Sequence, residues 1–167
     1  MFFSLKNKQL KNMLKKNYNG LLFYLLDNCI FAYDQLYIIN NKLNKELNKI
    51  NRKEFDSNVD MQYIGNMNRM IQDYLIIRIG GLFDKTEYKT KRGIDEVISF
   101  EKLFSNNKNF KEIKKQGIIK YIIDKRNNFV AHTNKKFDVP DSSKICDSNL
   151  RNLLKSLQKL LIESENI

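Results

Sequence analysis

The stretch "LLFYLLDNCIFAYDQLYIINNKLNKELNKI", residues 21–50, decides the fold. Leu22, Leu25, Cys29, Tyr33, Leu36, Ile39, Leu43, Leu47 and Ile50 recur in it every three or four positions, the spacing that turns one stripe of a helix toward a core. A single helix over 21–50 follows, about 45 Å long at ~1.5 Å per residue. Its apolar stripe must be covered by other helices. A shorter amphipathic segment, Ser4 to Lys16, precedes it, with Asn19 and Gly20 as the expected break.

The rest of the chain supplies those partners. Tyr63, Met67, Met70, Tyr74 and Ile77 mark a second long helix, roughly 59–82, ended by Gly80 and Gly81, whose backbone freedom suits a helix terminus. The stretch "KTEYKTKRG" reads as a loop, and Ser99 as the cap of a short helix "FEKLF". Phe110, Ile113, Ile118, Ile122 and Phe129 trace a third major helix, roughly 109–131. Beyond the only proline, Pro140, Asp147 is placed to cap a last helix carrying Leu150, Leu153, Leu154, Leu157 and Leu161. No sustained period-two alternation and no repeat is present, so the expected fold is all-α, an up-and-down bundle of four to six helices. With 167 residues, 42% of them hydrophobic, it forms one domain, 1–167, with a core that needs no disulfide or metal.

Thirty Lys and Arg against nineteen Asp and Glu give a net charge of +11, which points to a polyanionic partner, nucleic acid before membrane. Lysines scattered among asparagines and isoleucines are also what an AT-rich genome produces. Cys29 and Cys146 stand far apart with no ligand spacing around them, so no zinc site is expected, and two unrelated thiols suit the cytoplasm. "MFFSLKNKQLKNMLKKNYNG" has its lysines after the apolar start, and "LLFYLL" is cut short by Asp27, so neither a signal peptide nor a membrane span is expected. Paired carboxylates at metal spacing, a Gly-rich phosphate loop and a serine–histidine triad are all missing from the sequence, and no cofactor is expected.

The chemistry concentrates in "RNNFVAHTNKK", residues 126–136, which holds the only histidine. The end of a helix collects cations because its unpaired carbonyls favour them, and this accounts for Lys135 and Lys136. Arg126 lies earlier, beside Ile122, Ile123, Phe129 and Val130, where a charge requires a partner. On a regular helix Arg126 and His132 would point ~120° apart with ~9 Å of rise between them. They converge on one ligand only if the helix ends just before His132, or if a groove wraps its end.

Arg126, the polar Asn127, small Ala131 and His132 at a helix C-terminus resemble the R-x(4–6)-H signature of the HEPN superfamily, the higher eukaryotes and prokaryotes nucleotide-binding domains. "GLFDK" at 81–85 and "ISFEKLF" at 98–104 are similar to stretches of its abortive-infection branch, and the resemblance spans roughly residues 20–160. It implies a dimeric, metal-independent endoribonuclease, the toxin of a toxin–antitoxin or phage-defence system, with Arg126, His132 and Asn127 as catalytic residues. A histidine can take the 2′-OH proton or protonate the leaving 5′-oxygen, and an arginine can hold the phosphate in a bidentate fork. One histidine per chain supplies only half of an acid–base pair, so a homodimer with a composite interface site is expected. Some HEPN toxins carry a tyrosine two positions after the histidine, modified by a nucleotidyltransferase antitoxin; Asn134 stands there in this chain.

Lys89, Lys91 and Arg92, with Lys135 and Lys136, are the candidate RNA phosphate contacts. Asp84 could pair with Arg126 or tune His132, although a surface ion pair or a cap is the simpler expectation. Tyr24, Phe31, Tyr33 and Tyr37 could stack bases, but at helical spacing among leucines they read as core or dimer interface. The alternative to a nuclease is a non-catalytic helical module that binds nucleotide, RNA or protein.

Overall fold

The computed structural model describes residues 2–51, 61–85, 87–90, 93–127, 142–145 and 147–165. It is an all-α bundle built on a long helix α1 (Phe2–Asn51) and its neighbour α2 (Met61–Leu82). Short helices α3 (Phe100–Phe104) and α4 (Lys108–Lys114) lead into α5 (Gly117–Lys125), and α6 (Ser142–Ile145) into the closing α7 (Ser148–Glu165). No helix among the described residues is long and apolar enough to cross a membrane.

Helix α1 is the spine, and it runs unbroken through the expected break at Asn19 and Gly20. One helical glycine costs only about 1 kcal/mol relative to alanine, too little to end a helix packed on both sides. Asn19 is buried there and its Nδ2 donates to Ser164 Oγ at 3.3 Å, while Tyr33 Oη donates to the Asp147 carbonyl at 3.4 Å. These contacts join the two ends of α7 to separate levels of α1 in reverse order, so the two helices run antiparallel. Leu22, Cys29 and Leu36 are buried as expected, together with Leu26 and Ala32, whereas Leu47 is exposed.

Helix α2 is antiparallel to α1 and turns a different face inward from the one expected. Ile64, Leu75, Ile76 and Ile79 are buried, and Tyr63, Met70 and Ile77 are exposed. Both faces repeat at three- and four-residue spacing, so periodicity alone does not choose between them. What distinguishes the inner face is a buried amide ladder, in which Asn68 Nδ2 donates to Asn40 Oδ1 and Gln72 Nε2 to Asn68 Oδ1. Buried amides must be paired, and this register pairs them. The aromatic stripe of α1 divides in the same way: Tyr33 is in the core, and Tyr24, Phe31 and Tyr37 face solvent.

Part of the expected loop "KTEYKTKRG" belongs to a small hairpin. Strands β1 (Glu87–Thr90) and β2 (Gly93–Glu96) pair antiparallel in the register Glu87 to Glu96 and Thr90 to Gly93. Four-residue strands offer only two positions per face, too few to produce a visible alternation. Past the hairpin, Ser99 occupies the cap position of α3 but makes no side-chain cap bond; its N–H donates instead to Tyr18 Oη at 2.7 Å. Tyr18 Oη in turn donates to the Val97 carbonyl at 2.7 Å.

The single helix expected over 109–131 is two helices, α4 and α5, divided at Lys115 and Gln116. Asn107 caps α4 by accepting from the Phe110 N–H at 3.1 Å. Phe110, Ile113 and Ile122 are buried, and Phe129 lies outside the described residues. Asp147 does cap α7, accepting from Ser148 Oγ and from the Asn149 N–H, and the five expected leucines of α7 are all buried.

Candidate functional site

The candidate site forms where the end of α2 meets the end of α5. Leu82 and Phe83 are buried at the end of α2, and the Phe83 ring stacks on Phe110 at 5.9 Å between centroids. Phe110 also contacts Phe100 and Phe104, so "GLFDK" and "ISFEKLF" meet in one aromatic cluster. Two turn bonds follow, Phe83 N–H to the Gly80 carbonyl and Asp84 N–H to the Gly81 carbonyl, each at 3.2 Å. The core thus fixes the residue before Asp84, and the turn aims its carboxylate at α5.

From the other side, Arg126 ends α5 with its N–H donating to the carbonyls of Ile122 and Ile123. Its Nη2 donates to Asp84 Oδ1 at 2.6 Å, and the two side chains are only 18% and 20% exposed. Asn127 Oδ1 lies 3.4 Å from both Nε and Nη2 of the same guanidinium. Asp84 therefore takes the Arg126 pairing that the sequence offered beside a simple surface role. A guanidinium carries five N–H donors, more than these two acceptors engage.

Gly80 is the residue that sequence reasoning misassigned. It lies inside α2, where a Cβ would come within 2.8 Å of Arg126 Cδ and 3.3 Å of its Nε. The glycine lies within α2 and leaves room for the arginine stem, which a Cβ there would have to displace. A visible signal existed: two glycines within a helical pattern cost enough that a close approach is the usual reason for them.

The end of α5 gathers further cations. Lys125 Nζ lies 5.7 Å and Lys144 Nζ 5.0 Å from the centre of the Tyr121 ring, a cation–π arrangement that places positive charge from α5 and α6 together. Lys125 is one residue from Arg126, but no sequence spacing connects Lys144 to it. Of the remaining candidates, Lys89 is on β1 opposite Ile94. His132, Lys135, Lys136, Lys91 and Arg92 lie outside the described residues.

No protein-family model, curated protein or solved structure matches the chain.

Proposed function

We propose that the protein is a metal-independent endoribonuclease of the toxin or phage-defence kind, acting in the cytoplasm as a homodimer with a composite site. The observation that carries this reading is the fixed guanidinium of Arg126, held by Asp84 across Gly80 six positions before the only histidine. A phosphate bound by Arg126 would have its growing negative charge stabilised during in-line attack by the ribose 2′-oxygen. One His132 accepts the 2′-OH proton, the 2′-oxygen bonds to phosphorus, and the P–O5′ bond breaks. The His132 of the second copy protonates the departing 5′-oxygen. The products are a 2′,3′-cyclic phosphate and a 5′-OH end.

Lys125 and Lys144 extend the positive surface beside Arg126 and would hold flanking phosphates. An antitoxin protein, nucleotidyltransferase-like or other, would act by covering this surface.

Cleavage of RNA in EDTA, with analysis of the new ends, tests the reading. The expected result is cyclic-phosphate and 5′-OH ends from the wild type and loss of cleavage in His132→Ala and in Arg126→Ala, with helicity retained. Unchanged cleavage by both variants overturns it.

The closed Arg126–Asp84 pair favours a second reading, in which Arg126 is a structural clamp in a non-catalytic module that binds nucleotide, RNA or protein. That module would bind RNA with a salt-dependent affinity and leave it intact.

A further inference from the structure

A cavity of about 240 Å³ opens between α1, α3 and α7. Asn19 of α1, Phe104 of α3 and Leu160 of α7 are buried residues of its wall, joined by the half-buried Leu103. Glu163 and Asn107, both exposed, lie on its open side. None of these residues belongs to the Arg126–Asp84 pair.

Asn19 gives the cavity its chemistry. Ser164 Oγ donates its proton to the Leu161 carbonyl at 2.7 Å, so toward Asn19 it is an acceptor, and the amide turns its Nδ2 to it at 3.3 Å. The amide oxygen is left over. Asn19 is only 5% exposed, and its Oδ1 meets no hydrogen-bond donor among the described residues. A buried acceptor without a donor is costly, and folded proteins pair nearly all of them.

We propose that this cavity binds a small organic amine, whose ammonium group donates to Asn19 Oδ1 and faces the Glu163 carboxylate while its apolar body packs against Leu103, Phe104 and Leu160. The bond to Ser164 sets the Asn19 amide beside the residue that follows Glu163 on α7. Glu163 does meet Lys159 at 3.7 Å, but with side chains 49% and 77% exposed that pair is long and screened, and it leaves carboxylate oxygens for a ligand. Asn107 Oδ1 is taken by the Phe110 N–H.

The alternatives fit less well. No Lys or Arg is among the described residues lining the cavity, in a chain that carries thirty, so a phosphate-bearing ligand would face Glu163 with no cation to hold it. A bare hard cation takes about six or more oxygen ligands, and Leu103, Phe104 and Leu160 offer only hydrocarbon side chains. The volume exceeds the ~150 Å³ that holds a benzene ring and falls short of the ~300 Å³ where drug-sized sites begin, which suits one ring with a short arm. The inference does not rest on the ribonuclease reading and stands if no RNA is cut.

Calorimetric titration of the full chain with phenethylamine tests it. The net charge of +11 repels cations in general, so saturable binding reports a specific site. The wild type is expected to bind phenethylamine with a dissociation constant below about 1 mM, 2-phenylethanol at least about tenfold more weakly, and phenylacetate not at all. Asn19→Leu should weaken phenethylamine about tenfold or more, the loss of a hydrogen bond to a charged group, and Glu163→Gln about threefold or more. Lys155→Gln, on the exposed side of α7 and outside the cavity wall, should bind as the wild type does. Far-UV spectra check that the variants fold, and Glu163→Gln, at an exposed position, decides the matter if Asn19→Leu does not. Absence of saturable phenethylamine binding, equal binding of 2-phenylethanol, or an affinity unchanged in Glu163→Gln overturns the proposal.

Discussion

Arg126 reaches Asp84 across a glycine: its Nη2 donates to Oδ1 at 2.6 Å while its stem passes where a Cβ on Gly80 would stand, 2.8 Å from Cδ. One fifth exposed on each side, this pair clamps the end of α5 to the end of α2. It makes the candidate site part of the fold.

Removing either partner leaves the other charge half-desolvated, so Asp84→Asn and Arg126→Gln should each cost about 1–3 kcal/mol. The double variant should cost clearly less than the sum, because the second change removes a charge already stranded by the first. Urea unfolding of the four proteins measures the coupling. Additive losses would mean that the contact contributes nothing to stability.

Glycine replacements should differ in sign between the two long helices. A Cβ added at Gly20 would meet no packing neighbour within 4 Å, so Gly20→Ala should stabilise by about 0.5–1 kcal/mol through backbone entropy. Gly80→Ala carries the same intrinsic gain but displaces Arg126, and should destabilise by about 1–2 kcal/mol. In an Arg126→Ala background Gly80→Ala should become stabilising. Thermal melts of these proteins decide whether the arginine is the reason for the glycine.

Burial pushes the Cys29 thiol up to about 12 from its ordinary 9.0, with Arg78 pulling weakly the other way. Between those values the folded chain retains a proton that the unfolded chain releases, so stability falls as pH rises above 9, by at most ~1.4 kcal/mol per pH unit from this group. Cys29→Ala should flatten the decline in unfolding free energy between pH 9 and 10.5, judged against the wild type under the same titration. In a Cys146→Ser background Cys29 should also resist alkylation at neutral pH until the chain unfolds. Rapid labelling of the native protein would contradict this burial.

The bundle was legible because burial at three- and four-residue spacing survives in α1 and α7 without reference to their neighbours: Leu22, Leu36, Leu150 and Leu157 all lie where the spacing put them. Helix α2 was legible as a helix but not in its facing, since the Asn68–Gln72 ladder acquires meaning only against Asn40. The division between α4 and α5 depends on the Asn107 cap and the turn at Lys115, local bonds that an apolar period passes over. At the site, Arg126, Asp84 and their pairing could be named from the sequence, the pairing only as one of several roles for Asp84. The choice among those roles across forty-two positions, and the place of Gly80 beneath the pair, required the packing of α5 on α2.

A ribonuclease site shared between two copies has a signature in mixed subunits. Wild-type and His132→Ala chains, co-refolded in equal amounts, should retain about a quarter of wild-type cleavage, because only dimers with two histidines complete the acid–base pair. Retention of about half the activity would mean self-contained sites, and absence of cleavage by the wild type itself would contradict the ribonuclease outright.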